Sequence, residues 1–234
     1  MTEMLFSLPP WPAVPVMGET ALYPVRRVFC VGRNYAAHAA EMGAEVDREA
    51  PFYFTKSPAA VLNGGGVLAY PPGTADFHYE MELVVALGKP AFRVDVQDAL
   101  ACVFGHACGL DLTRRDLQHA AKQKQRPWDL GKDFEGSAVI GPITRAPDGD
   151  LPGDRPIRLA VDGATRQDAM LSDMVWSVPE LVADLSRFYR LGPGDLIMTG
   201  TPAGVGAIDA GATLRGTIDG LEPVELTIGP AEPA

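Results

Sequence analysis

The stretch that most constrains this chain is His78-Tyr79-Glu80-Met81-Glu82, running directly into Leu83-Val84-Val85-Ala86-Leu87. The tail is apolar and β-branched, which predicts a strand, and the whole piece reads as one. Side chains alternate across a strand, so Glu80 and Glu82 share one face, roughly 6–7 Å apart at Cα, while Met81, Leu83 and Val85 share the other. Two carboxylates at the mouth of an apolar run repel each other and lose hydration. A sheet that buries this run must place positive charge beside them. A hard divalent cation with oxygen ligands, Mg²⁺ or Mn²⁺, meets that need. Asp111, within Gly109-Leu110-Asp111-Leu112-Thr113, is a third carboxylate in similar surroundings. Taken alone, Glu-x-Glu spacing is better explained by two solvated glutamates at a strand edge; the rest of the chain shifts that balance.

At 234 residues the chain is expected to form one catalytic domain, residues 21–234, preceded by an extended Pro-rich arm over residues 1–20. The 25 glycines and 21 prolines suggest many turns and a β-rich body rather than a helix bundle. A net charge of −10 argues against nucleic acid or an anionic membrane as partner, and means that an anionic substrate needs local positive charge. Cys30, Cys102 and Cys108 are odd in number, lack C-x-x-C spacing and sit among apolar residues. They read as reduced core residues of a cytoplasmic protein. No apolar run approaches the ~20 residues of a membrane span. The N-terminus, with Glu3, several prolines and no early Lys or Arg, reads as neither signal nor transit peptide.

In chain order, residues 25–31 predict a strand ending at Gly32, and the alanine-rich residues 33–42 a helix stopped by Gly43. His38 and Glu41 are three apart and so are neighbours on that helix, a spacing that suits a surface ion pair as well as a functional dyad. Residues 51–56 predict a strand, and Asn63-Gly64-Gly65-Gly66 a turn without the signature of a phosphate loop. A helical turn over 95–100 precedes a strand over 103–112. Thr113-Arg114-Arg115-Asp116 has the form of a helix N-cap with an acidic third position. Lys122 and Lys124 read as solvated; Lys132, between Gly131 and an aromatic, is less easily dismissed. Val161-Asp162-Gly163 reads as a hairpin. Ser177-Val178-Pro179-Glu180 is a capping box for a helix whose buried stripe is Leu181, Val182, Leu185, Phe188 and Tyr189. A strand over 195–199 then enters Gly200-Thr201-Pro202-Ala203-Gly204-Val205-Gly206.

Several of these pieces, in this order, resemble the fumarylacetoacetate hydrolase family over roughly residues 22–228. They are Gly32-Arg33-Asn34-Tyr35 with His38 and Glu41; Glu80-x-Glu82; Asp111-Leu112-Thr113-x-Arg115-Asp116-x-Gln118; Trp128 with Lys132; and the Thr199–Gly206 loop. Tyr23-Pro24-Val25-Arg26-Arg27-Val28, Arg126-Pro127-Trp128 and residues 176–180 are most similar to the bacterial fumarylpyruvate hydrolases within it. The resemblance implies an α+β fold, a β-rich mixed-sheet roll with a few short helices, usually a homodimer. It implies one Mg²⁺ or Mn²⁺ held by Glu80, Glu82 and Asp111. It also implies a lid dyad of His38 and Glu41, an active-site Lys132 with Gln118, and substrate-facing groups at Tyr35, Arg115 and Thr201. Arg33, Arg114 and Arg126 are candidates for a second, distal substrate carboxylate. Where relatives often carry Phe-Asp, this chain has Phe134-Glu135, a longer acid that can shift a contact behind the site.

The substrate class implied is a small 2,4-dioxo acid, most nearly fumarylpyruvate, cleaved to fumarate and pyruvate in aromatic (gentisate-type) catabolism. His38, oriented by Glu41, is expected to act as general base on a water attacking C4, since histidine as a residue type titrates near ~6.5. Lys132 and Gln118 are expected to donate to the developing oxyanion, an effect typically worth roughly 3–4 kcal/mol per donor. Lys132 has the alternative role of neutralising the metal cage. Two other functions compete: isomerisation or decarboxylation of a related 2-oxo acid, oxaloacetate included, and non-catalytic metal binding. The dyad favours hydrolysis, because an attacking water needs a base.

Overall fold

The run Leu83–Leu87 lacks polar alternation because the sheet containing it is covered on both faces. The computed structural model describes residues 5–6, 9–43, 48–151 and 154–232. Its larger sheet has the order Tyr53–Lys56, Arg27–Val31, Asp195–Met198, Met81–Leu87, Val103–Asp111, Ala138–Ile140, Val61–Asn63. Arg27–Val31 runs parallel to Asp195–Met198, and Ala138–Ile140 parallel to Val61–Asn63, while the remaining neighbours are antiparallel. A second sheet has the order Ala164–Met170, Pro156–Val161, Thr213–Ile218, Val224–Gly229, Gly66–Ala69. With short helices between the strands, this is the expected mixed-sheet α+β roll.

Met81–Leu87 lies mid-sheet and is buried at every position. Met81, Leu83, Val85 and Leu87 pack with Ile157, Leu159, Leu214 and Leu226 of the second sheet. Val84 and Ala86 point the other way, into a cluster with Val28, Cys30, Ala107, Ile140, Leu196 and Met198. The N-terminal segment covers this second cluster instead of extending as an arm. Ala13–Pro15 pairs with Leu22–Pro24, and Val14 and Val16 are buried among the same residues. The boundary expected near residue 20 therefore runs through a two-stranded ribbon. The prolines hid two apolar residues, Val14 and Val16, that alternate inward. All three cysteines are buried and free.

Other elements differ from expectation for local reasons. The helix over 33–42 shortens to Ala36–Glu41, because Asn34 is held outside it. Its amide donates to the Trp176 and Thr199 carbonyls, both at 2.8 Å, and accepts the Trp176 N–H at 2.6 Å. Gly43 ends the turn at φ +64°, as a C-terminal glycine should. Thr113 does not cap the helix Arg115–Gln123; Arg114 occupies that position, and Asp116 reaches back to Thr74 Oγ1 at 2.6 Å. The Ser177–Glu180 capping box forms, with Ser177 N–H donating to Glu180 at 2.8 Å. Of the predicted stripe, Leu181, Val182 and Leu185 are buried, but Phe188 and Tyr189 are 66% and 42% exposed, because the last turn runs past the core. Among the described residues no helix is long and apolar enough to cross a membrane.

Candidate metal centre and active site

The strand predicted over 78–87 breaks at Glu80. Phe77–Tyr79 belongs to a small sheet with Thr113–Arg114 and Gly206–Ala207, and Met81 opens the large one. Across the ladder Met81 faces Leu110 and Glu82 faces Gly109, while Asp111 N–H donates to the Glu80 carbonyl at 2.9 Å. This register carries Asp111 to the side of Glu80 and Glu82. One carboxylate oxygen from each residue lies within 4.8 Å of the others, and all three residues are buried.

Three cations surround the three acids. Lys132 Nζ donates to Glu80 Oε2 and Asp111 Oδ2, both at 2.8 Å. Arg115 donates to Glu80 Oε1 at 2.5 Å and to Gln118 Oε1 at 2.6 Å. Lys56 Nζ lies 2.8 Å from Asp111 Oδ1. That last contact lacks hydrogen-bond geometry, so Oδ1 is buried with no hydrogen-bond donor among the described residues. Glu82 accepts the Gly200 N–H at 2.8 Å and has no ion pair among the described residues. Gly200 sits at φ +95°, and a Cβ there would meet the Asn34 side chain at 2.8 Å, so only glycine delivers this N–H.

The titration behaviour follows from these contacts. Burial pushes Glu82 well above the usual carboxylate range, and Asp111 and Glu80 push it further. Burial acts upward on Glu80 too, but Lys132 and Arg115, with His38 behind them, outweigh it and hold Glu80 low. Burial acts to lower Lys132, and Asp111 and Glu80 more than reverse that. Glu82 without a cation and Asp111 Oδ1 without a donor are what a divalent ion would satisfy. The all-oxygen donor set fits Mg²⁺ or Mn²⁺, not the nitrogen and sulfur ligands typical of zinc.

His38 is 4% exposed, and its Nδ1 stands 3.3 Å from Glu41 Oε2. Glu41 also accepts the Gly204 N–H, at 3.3 and 3.2 Å, so the short helix is tied to the Thr199–Gly206 loop. One cavity of about 130 Å³ is lined by His38, Glu80, Arg115, Gln118 and Lys132, with Arg33 at its edge. Close approach makes this grouping possible. A Cβ on Gly131 would meet Gln118 N at 2.8 Å, so glycine lets the Asp129–Lys132 turn lie against the helix bearing Gln118. Phe54 and Trp128 line the cavity, their rings 6.0 Å apart.

An outer hollow of about 450 Å³ adjoins it, lined by Arg33, Lys122, Arg126 and Trp128. Arg33 and Lys122 border both spaces, and Arg126 only the outer one. Arg114 borders neither. It stacks over Phe134 at 4.2 Å and donates to the Leu130 carbonyl at 3.3 Å, so it is not placed for a substrate carboxylate. Tyr35 and Thr201 also stand off the cavity. Tyr35 is buried with its hydroxyl unpartnered among the described residues, and Thr201 Oγ1 accepts from Gln167 at 2.9 Å. Arg115 is committed to Glu80 and Gln118, which makes it part of the cage. Sequence reasoning missed Lys56 and Gln167. Alternation had a signal for Lys56, since Phe54 and Lys56 share a strand face. It had none for Gln167, the one buried residue of the strand Ala164–Met170, whose amide also accepts the Met81 N–H at 2.9 Å.

The family model described as Fumarylacetoacetate (FAA) hydrolase C-terminal matches residues 27–229. A fumarylpyruvate hydrolase of Ralstonia sp. is 49% identical over 193 residues, which span 82% of this chain and 100% of that protein. The crystal structure of fumarylpyruvate hydrolase from Pseudomonas aeruginosa, in complex with Mn²⁺ and pyruvate, superposes with a TM-score of 0.93 at 45% identity, covering 97% of this chain and 100% of that one. An oxaloacetate tautomerase of Escherichia coli is 36% identical over 200 residues, 85% of this chain and 90% of that protein.

Proposed function

Because this chain belongs to the fumarylacetoacetate hydrolase family, we propose that it hydrolyses the carbon–carbon bond of a 2,4-dioxo acid, fumarylpyruvate above all, with Mn²⁺ or Mg²⁺ held by Glu80, Glu82 and Asp111. One observation carries the assignment: a single cavity gathers the His38 of a His–Glu dyad with Glu80 of the carboxylate cage, Lys132, Arg115 and Gln118. When bound, the divalent cation supplies Lewis-acid charge for the substrate's carboxylate and 2-oxo end.

The remaining work falls to the chain. Glu41 fixes the His38 ring, and His38 takes a proton from a water whose oxygen adds to C4. The C3–C4 bond then breaks, its electron pair goes to C3, and the proton held by His38 is delivered there, so that fumarylpyruvate and water become fumarate and pyruvate. Lys132 has spent two of its three N–H groups on Glu80 and Asp111, which leaves one for the developing oxyanion. Arg115 holds Gln118 Oε1, which leaves the amide's donor end for the same oxygen. We extend the proposal to a homodimeric, cytoplasmic enzyme; light scattering that returns a monomer mass removes the dimer.

The likeness to an oxaloacetate tautomerase favours a second reading, in which the same cage enolises a 2-oxo acid without attack by water. Incubating the Mn²⁺-loaded protein with fumarylpyruvate, acetylpyruvate and oxaloacetate separates the two. Hydrolysis predicts equal yields of fumarate and pyruvate as the dioxo absorbance disappears. Keto–enol exchange or decarboxylation of oxaloacetate, with acylpyruvates left intact, overturns it.

A further inference from the structure

Lys56 is a buried cation of this centre to which no motif pointed, and we infer that it is a positioning residue that holds Asp111 and the Lys132 backbone together for the metal cage. It sits on the edge strand Tyr53–Lys56, paired with Val28, and its side chain is fully buried. Its ammonium group meets three acceptors: the Asp111 carboxylate at 2.8 Å, the Leu112 carbonyl at 3.3 Å and the Lys132 carbonyl. Two of its three N–H groups go to the carbonyls and its charge to Asp111, and the residue does not line the cavity, so it is not placed to reach a substrate. In this it differs from Lys132, which lines the cavity.

The partners close a ring. Lys56 binds one oxygen of Asp111 and the backbone of Lys132, while the Lys132 side chain binds the other oxygen of Asp111 at 2.8 Å. Leu112, the third partner, follows Asp111 directly. Displacing Lys56 therefore frees the carboxylate and the turn bearing Lys132 at once. Lys56 places its charge beside Asp111 Oδ1 without a hydrogen bond to it, and so leaves that oxygen with acceptor capacity for a metal. Lys56, Lys132 and Arg115 pair with Glu80 and Asp111, which lets the cage fold before any ion arrives.

This inference rests on the metal cage of the proposed function, but its test needs no substrate. Full-length, metal-free Lys56→Met, Asp111→Asn and the double variant are melted beside the wild type. Lys56→Met is expected to lower Tm by about 6–20 °C, the order produced by breaking a buried ion pair in a chain of this length. In the Asp111→Asn background the loss should shrink to less than half, since the carboxylate is gone. Additive losses overturn the coupling.

Mn²⁺ affinity, read from the free-ion electron paramagnetic resonance signal, gives a second arm. Removing a nearby positive charge by itself tightens cation binding. A positioning role predicts the opposite sign, weakening by about tenfold or more, a scale seen when groups behind metal ligands are removed. Unchanged or tighter binding overturns the inference. If Lys56→Met fails to fold but the double variant folds, unpaired Asp111 is the cause and the inference stands. If both fail, Lys56 serves the two carbonyls alone and the claim about Asp111 falls. Catalytic failure with fumarylpyruvate, alongside the expected melts and Mn²⁺ binding, would sink the substrate assignment and leave this one intact.

Discussion

Replacing Arg33 by alanine tests how the far end of the substrate is held. Fumarylpyruvate carries a second carboxylate at the end remote from the metal, and a chain of net charge −10 does not attract it by its overall field. Arg33 lies half-buried on the rim between the inner cavity and the outer hollow, and so is the arginine that borders both. A hydrogen bond to a charged group contributes about 1.5–3 kcal/mol, and exposure of the rim to solvent holds the value toward the lower part of that range. At about 1.4 kcal/mol per decade, Arg33→Ala should lower kcat/KM for fumarylpyruvate roughly ten- to thirtyfold, mostly through KM. Acetylpyruvate ends in a methyl group and should change by less than about threefold. The assay is the ratio of the two kcat/KM values in wild type, Arg33→Ala, Lys122→Ala and Arg126→Ala. A ratio that moves only in Arg126→Ala places the carboxylate in the outer hollow and refutes the choice of Arg33. A wild type with no preference, or a ratio unmoved in every variant, refutes the fumaryl assignment and leaves a general acylpyruvate hydrolase.

Chelation should abolish turnover and Mn²⁺ or Mg²⁺ restore it, and Glu80→Ala, Glu82→Ala and Asp111→Ala should each lose metal and activity; a variant that keeps both, by metal analysis and assay, is not a ligand change. His38→Ala should lower kcat by about 10²–10⁴ while Mn²⁺ binding survives, because loss of a general base acts on the chemical step; equal losses in metal binding and kcat count against the dyad. His106 gives the pH prediction. Burial pushes it down from 6.5 to about 4, with Arg155 adding to this against Asp150, and its Nε2 has no hydrogen-bond partner among the described residues. Its folded-state value lies below the unfolded one, so its contribution is complete above pH 6.5 and is lost as pH falls toward 4. The depression corresponds to about 3 kcal/mol. Urea unfolding of His106→Gln should therefore lose less stability than wild type between pH 6.5 and 4; parallel curves refute this.

Period-2 alternation by itself put Glu80 and Glu82 on one face and Met81, Leu83 and Val85 on the other, and both assignments depend only on backbone geometry that any strand obeys. The Ser177–Glu180 cap and the Asp162–Gly163 turn were legible for the same reason: each is a contact between residues a few positions apart. What the sequence could not decide was which strand lies beside which. The register of Met81–Leu87 against Val103–Asp111 carries Asp111 to Glu80, 31 positions away along the chain, and the edge strand brings Lys56 to Asp111 across 55. The same limit explains the errors. Arg114 has the composition of a substrate ligand, yet the fold stacks it on Phe134. Val14 and Val16 sit among prolines that suggest a free arm, yet the sheet offers them an uncovered apolar face. Local sequence sets a residue's chemistry and the face it points to; tertiary packing alone sets its neighbours, because burial and charge pairing act between segments whose separation along the chain carries no periodic signal.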